Sequence, residues 1–250
     1  MEQTDSDAII WLEEVDSTNS YLKNLLLDAH LPEGMVVAAD YQLRGRGQMG
    51  NSWFSSKGLN LLFSLLIYPD FISVKEQFVI SEMFALAVKH TLDSFADGIS
   101  IKWPNDIYHN DRKIAGILIE NNIQGDRIKN TVIGAGINLN EEAFPETLPN
   151  PVSLRQITGK EYDRKEVLRL LLDDFFTRYE VSKEGDFRPI YDEYMQGLYC
   201  AEGFHRFEDA NGIFLGRISC VMPSGHLVLR LPDSEEERMY AFKEVKFLDE

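Results

Sequence analysis

The chain has 250 residues, of which 44% are hydrophobic and 26% charged, the composition of an ordinary globular protein with enough material for one full-sized domain and a small one. Its formal net charge of −16 argues against general affinity for nucleic acid or for anionic membranes, both of which are held by positive surface. Two cysteines, Cys200 and Cys220, make neither a disulfide framework nor a metal motif; the acidic N-terminus shows no leader pattern, no apolar run approaches the ~20 residues of a bilayer span, and a cytoplasmic location is expected.

Taken in order, Ala8–Leu12 is a short apolar run expected to be a strand. Asp16, Ser17, Thr18 and Asn19 are N-cap types ahead of a helical pattern carried by Tyr21, Leu22, Leu25 and Leu26, which Pro32 and Gly34 close. Met35–Ala39 and Leu61–Tyr68 are expected strands, and residues 76–95 an expected helix with Phe78, Met83 and Leu86 or Ala87 on one face. Pro104 interrupts the block that starts at Ile101, and His109-Asn110-Asp111 turns it into a hairpin. Arg127–Leu139 is another strand; 141–151 a proline-containing loop; 163–182 and 187–199 two helices. Around Gly203 the texture changes to short apolar alternations at Ile213–Met222, Leu227–Leu231 and Met239–Phe247, separated by MPSG and PDSEEE turns, a small antiparallel unit that reads as a partial barrel.

The most unusual stretch is Tyr41–Pro69, which contains no Asp or Glu. At the chain's average of 41 acidic residues in 250, a stretch of this length would carry about five. Instead it holds Arg44, Arg46 and Lys57, punctuated by Gly45, Gly47 and Gly50, which suits either anion binding or a surface loop ahead of a core strand. Lys113 stands in an otherwise apolar strand, where it must reach solvent or a partner, and Lys102 precedes the Pro104 break. Asp106 serves as a turn former or as a metal ligand and orienter. Gly116, Gly134 and Gly136 lie inside strands, where glycine marks close approach of a ligand or backbone, or helix packing. Ser17-Thr18-Asn19 is either a helix cap or a row of small polar groups at a positive helix end. Trp53 reads as core or as a stacking platform.

In order and wording these pieces resemble the biotin protein ligases: DSTN at 16–19, YQLRGRGQMGNSW at 41–53, GLNLLFSLL at 58–66, KWPNDI at 102–107, KIAGILIE at 113–120 and GAGINLN at 134–140. The resemblance runs from about residue 8 to 140, with a β-rich tail of suitable size. It implies an α+β fold: a mixed β-sheet catalytic domain flanked by helices (1–202) and a small C-terminal β-barrel of the Src-homology-3 type (203–250). It also implies a two-step reaction. Biotin is activated by ATP and Mg²⁺ as biotinyl-5′-AMP and transferred to a lysine of a biotin carboxyl carrier protein, such as that of acetyl-CoA carboxylase.

Carried over by motif, Ser17, Thr18, Asn19, Gln42, Gly47, Gln48 and Gly116 would hold biotin. Arg46 and Lys113 would hold its carboxylate and the phosphate, and with Asp106 form the catalytic group. Arg44, Trp53, Lys102, Asn105 and Asn138 would serve ATP, and Asp106 the magnesium ion. Gln48 departs from the arginine that many members carry there. The sequence also starts at the catalytic domain, with no helix-turn-helix ahead of it, so no DNA and no membrane partner is expected; a homodimer stays open. Two rival expectations are a lipoate–protein ligase on the same fold and a non-catalytic biotin-binding or repressor module.

Overall fold

A computed structural model describes residues 9–232 and 235–248. In chain order its elements are β1 (Ile9–Leu12), α1 (Thr18–Asp28), β2 (Val36–Ala39), β3 (Leu61–Ile67), α2 (Phe78–Asp93), β4 (Ile99–Lys102), β5 (Asp106–His109), β6 (Arg112–Gln124), β7 (Arg127–Ile137), α3 (Leu154–Thr158), α4 (Arg164–Ser182), α5 (Arg188–Gln196), β8 (His205–Asp209), β9 (Gly212–Val221), β10 (Leu227–Arg230), β11 (Glu237–Tyr240) and β12 (Lys246–Phe247). Ala8 of the first expected strand, and Asp233 and Ser234 of the PDSEEE turn, lie outside the described residues. Two elements escaped the sequence reading. The five-residue α3 is too short to show a period, although its capping box, Ser153 with Gln156, is legible in hindsight. Strand β8 turns a single large apolar residue, Phe207, into the core.

Strands β1 to β7 form one sheet in the order β1-β2-β3-β7-β6-β5-β4, antiparallel throughout except for the β1–β2 pair. Its two faces differ in kind. On one, Phe63 and Leu65 of β3, Ile117 of β6 and Ile133, Ala135 and Ile137 of β7 join Phe84 and Leu86 of α2 and Leu171 and Phe175 of α4 in the main core. On the other, α1 covers only one end, packing Leu22 against Val37, Leu66 and Val132. Farther along that second face the residues are small, namely Ser64, Gly134, Gly136 and Gly116, which stand in register across β3, β7 and β6.

The remaining strands form a second antiparallel sheet in the order β11-β10-β9-β8-β12. Among the described residues β11 and β12 do not pair, so the expected barrel is an open, Src-homology-3-like sheet. Its inner residues Phe207, Ile218, Leu227 and Leu229 belong to the main core. The seam is aromatic: Phe242 packs against Phe78 and Trp103, and Trp103 Nε1 donates to the Gly225 carbonyl at 2.9 Å. Gly225 has φ +88°, and a Cβ there would meet Phe78 at 2.7 Å, so glycine is required. No helix among the described residues is long and apolar enough to cross a membrane.

One core residue is out of character. Glu82 of α2 is 4% exposed, and burial pushes its carboxyl up to about 7. The hydroxyl of Tyr194, also buried, has no hydrogen-bond partner among the described residues. A carboxyl whose folded value exceeds its unfolded value near 4.5 makes the fold lose stability as pH rises from about 4.5 to 7, with no further loss above. At 1.36 kcal/mol per unit the loss is on the order of 3 kcal/mol. Glu82→Gln removes the titration, so the variant should gain on wild type by about that amount between pH 5 and pH 8 in urea unfolding. An unchanged difference at the two pH values would show that Glu82 stays ionised in the fold.

Candidate functional site

The small-residue part of the second face is the floor of a cavity of about 530 Å³. Gly116 of β6 pairs directly with Gly136 of β7, and the indole of Trp53 lies on both. A Cβ on Gly116 would sit 2.8 Å from Trp53 Cζ3, and one on Gly136 would overlap the indole more deeply. Gly134, the next residue along that face, has Asn19 where its Cβ would be. The close approach signalled by these strand glycines is therefore made by the side chains of Trp53 and Asn19.

One end of the cavity is the N-terminus of α1. Ser17 takes the N-cap position with extended backbone, but its side chain makes no capping hydrogen bond, so the helix-cap reading of the Ser17–Asn19 cluster holds for the position and not for the bond. The capping group comes from elsewhere: Gln42 Oε1 accepts from the Thr18 amide at 2.8 Å and from Thr18 Oγ1 at 3.2 Å. Ser64, fully buried in β3, lies 2.7 Å from Thr18 Oγ1 and 2.5 Å from Asn19 Oδ1. The amide of Asn19 donates to the Leu118 carbonyl at 3.3 Å and to Glu120 Oε2 at 2.9 Å. A rigid polar lattice thus fixes the three small residues against the sheet.

The charges are paired within the site. Lys113 Nζ lies 2.6 Å from Asp106 Oδ1 and 5.5 Å from the centroid of the Trp53 ring. Arg46 donates to Ser20 Oγ at 3.3 Å and to Glu120 Oε1 at 3.2 Å, and Lys23 Nζ shares the same oxygen at 3.0 Å. Burial alone would raise the Glu120 carboxyl, but hydrogen bonds from Asn19 and Lys23 and the charges of Lys23 and Arg46 outweigh it and hold the group below its ordinary value. The loop that carries Arg46 is folded back on itself: Gly47 N donates to the Asn51 carbonyl at 2.7 Å, Trp53 N donates to the Gly45 carbonyl at 2.9 Å, and Gln48–Gly50 make a 3-10 turn.

Of the residues named from the sequence, the cavity wall brings together Ser17, Thr18, Asn19, Gln42, Arg46, Gly47, Gln48, Trp53, Asn105, Asp106, Lys113, Gly116 and Asn138. Arg44 and Lys102 are not in it. Arg44 is exposed and pairs with Asp16. Lys102 turns toward the rings of Tyr108, Tyr199 and Phe247, its Nζ 4.4 Å from the Tyr108 centroid, an attraction between a cation and ring faces. The sequence reading missed Ser64, Glu120, Phe144, Phe242 and Lys243. Glu120 is the one with a visible signal, a carboxylate closing the apolar run KIAGILIE. Phe242 and Lys243 reach the wall from the second sheet, a proximity without sequence signature.

Two buried polar atoms in this wall have no partner among the described residues: Trp53 Nε1, a donor, and Asn138 Oδ1, an acceptor. The Asn138 amide nitrogen is occupied by the Val152 carbonyl at 3.1 Å, and that of Asn105 by the Ile117 carbonyl at 2.6 Å. Unpaired buried polar atoms are costly and commonly mark a ligand position. One cavity wall thus carries small hydroxyl and amide groups, two cations and an indole with orphaned polar atoms. That combination suits a ligand with a polar group, an anionic group and a flat heterocycle.

Comparison with known proteins gives a consistent result. The model of the Biotin/lipoate A/B protein ligase family matches residues 11–138. A Biotin–[acetyl-CoA-carboxylase] ligase from Paracoccus denitrificans is 30% identical over 236 residues, covering 88% of this chain and 93% of that protein. The bifunctional ligase/repressor BirA of Bacillus spizizenii is 34% identical over 225 residues, covering 87% of this chain and 68% of that one. Among solved structures, the biotin protein ligase from Aquifex aeolicus in complex with biotin and ATP superposes with a TM-score of 0.79 at 27% identity, over 96% of this chain and 99% of that chain.

The glycine floor yields a direct test. Gly136→Ala places a methyl group inside the volume of the Trp53 indole, which must leave the wall. Its tryptophan emission should shift to the red relative to wild type, and the shift should vanish when Trp53→Phe is added. Identical spectra for wild type and Gly136→Ala would mean the indole does not rest on Gly136 in solution.

Proposed function

Because the chain belongs to the biotin protein ligases of the biotin/lipoate A/B protein ligase family, we propose that the residues around Lys113 and Trp53 carry the reaction of that group. The reaction is ATP-dependent activation of biotin as biotinyl-5′-AMP, followed by transfer to a lysine of a carrier protein. One observation supports the assignment above the others: Lys113, the polar residues Ser17, Thr18 and Gln42, and the orphaned atoms Trp53 Nε1 and Asn138 Oδ1 all line one cavity.

In the first step a biotin carboxylate oxygen attacks the α-phosphorus of ATP and pyrophosphate leaves. Two anions must be brought together, so the site needs fixed positive charge where negative charge concentrates. Lys113 and Arg46 supply it, while Ser17, Thr18, Asn19 and Gln42 orient the ring system and Gly116 lets the Trp53 indole lie on the sheet beside it. Trp53 offers its cavity-facing side to adenine, with Asn105 and Asn138 on the nucleotide side.

Mg²⁺ fits this arrangement as a companion of the polyphosphate. The described residues group no three ligating side chains into a metal site of their own, and magnesium is commonly held by one carboxylate and phosphate oxygens, here that of Asp106. When bound it would offset charge on the departing pyrophosphate. In the second step the ε-amine of the acceptor lysine attacks the acyl carbon and AMP leaves. That amine, with an ordinary pKa of about 10.4, must first lose a proton, and Asp106 at the cavity wall is the carboxylate placed to orient it. The partner is a biotin carboxyl carrier domain, and the rival substrate, lipoate, is separated from biotin by substrate-dependent pyrophosphate release.

Lys113→Ala should lower biotin-dependent pyrophosphate release by about 10²–10³-fold, the usual loss for one transition-state electrostatic donor, with little change in melting temperature. Full activity of that variant would return Lys113 to a surface role. Gln48 offers only a neutral contact where an arginine makes a charge-assisted one. Gln48→Arg should therefore slow release of bound biotinyl-5′-AMP by several-fold in a chase experiment, and equal dissociation rates would remove Gln48 from retention of the intermediate.

A further inference from the structure

Arg46 is assigned to the negative charge of the ligand, yet its guanidinium is turned to Glu120 of β6 and Ser20 of α1. Glu120 stands opposite Val132, on the same sheet face as Gly116 and Leu118, and about a fifth of its side chain is exposed. Three donors converge on its carboxylate: Arg46 at 3.2 Å and Lys23 at 3.0 Å on Oε1, and Asn19 at 2.9 Å on Oε2. One negative charge therefore faces two cations. If Arg46 departs, Lys23 and Asn19 still satisfy both carboxylate oxygens, so no unpaired charge is left behind.

Resting on the biotin-ligase reading, the geometry points to Glu120 as the residue that sets how tightly this site takes an anionic ligand. Glu120 holds Arg46 until the carboxylate or phosphate of the ligand displaces it, and Lys23 is the replacement cation that makes the exchange inexpensive. Glu120 is a positioning residue: it acts through Arg46 and through the orientation of Asn19 and touches no reacting atom.

Its signature is dependence on ligand charge. Calorimetry would compare a non-hydrolysable phosphodiester analogue of biotinyl-5′-AMP with the uncharged methyl ester of biotin. Glu120→Gln keeps an acceptor for Asn19 but removes the competing charge. It should tighten the analogue about two- to fivefold at low salt, the range of a partly exposed ion pair, and leave the ester unchanged. Lys23→Met removes the replacement cation and should weaken the analogue by a similar factor, a reading that survives even if Glu120→Gln folds poorly. Added salt should shrink both effects. Unchanged or weaker analogue binding by a folded Glu120→Gln, or equal changes for both ligands, would overturn the inference and leave the ligase reading standing. Wild-type protein that binds neither ligand would overturn both.

Discussion

The site depends on a difference between alternate residues of two paired strands. Along β6 and β7, Ala115, Ile117, Ile133, Ala135 and Ile137 go to the main core, and the residues between them, Gly116, Gly134 and Gly136, go to the other side. Because side chains in a strand alternate strictly, one sequence builds a dense hydrophobic face and a nearly bare one from the same backbone. The bare face is what lets an indole and an asparagine lie directly on the sheet. Glycine weakens a strand by itself, so such a face persists only because the opposite side belongs to the same core cluster as α2 and α4 and both strands are paired on each side.

The polar lattice and the charges follow from that floor. Ser64 reaches the helix terminus because its neighbour in register, Gly134, has no side chain to obstruct Asn19. Gln42, on the strand-like segment beside Val15, replaces the cap that Ser17 does not provide. Cations at the rim are held by carboxylates of the same chain, Lys113 by Asp106 and Arg46 by Glu120. A strongly acidic protein thus keeps its few site cations neutralised in place.

Much of this was legible in the sequence, for physical reasons that differ by element. The hairpin of β5 and β6 announced itself through His109-Asn110-Asp111, and the long strands through their apolar runs. The acid-free segment around Arg46 and the interior glycines of β6 and β7 marked the site. What escaped notice depends on contacts between distant segments. Lys102 belongs to the same motif as Asn105 and Asp106, but the Tyr108, Tyr199 and Phe247 rings draw it off the wall. Glu120 is just the last letter of KIAGILIE in the sequence, and only the fold sets it beside Lys23, Asn19 and Arg46. The cap reading of Ser17 followed local rules and located the helix start, but Gln42, twenty-five positions on, supplies the bond.

Phe242 has a double placement: it packs against Phe78 and Trp103 at the seam and also lines the cavity with Lys243. Trp103 in turn immediately precedes Pro104, Asn105 and Asp106. The second sheet is therefore not an appendage that evolution or an engineer can exchange freely. A graft from a distant relative would have to match the aromatic seam as well as its own strands, and a mismatch of one ring would be felt at Asp106. A change of ring at Phe242 is thereby also a change in the packing of the KWPND segment.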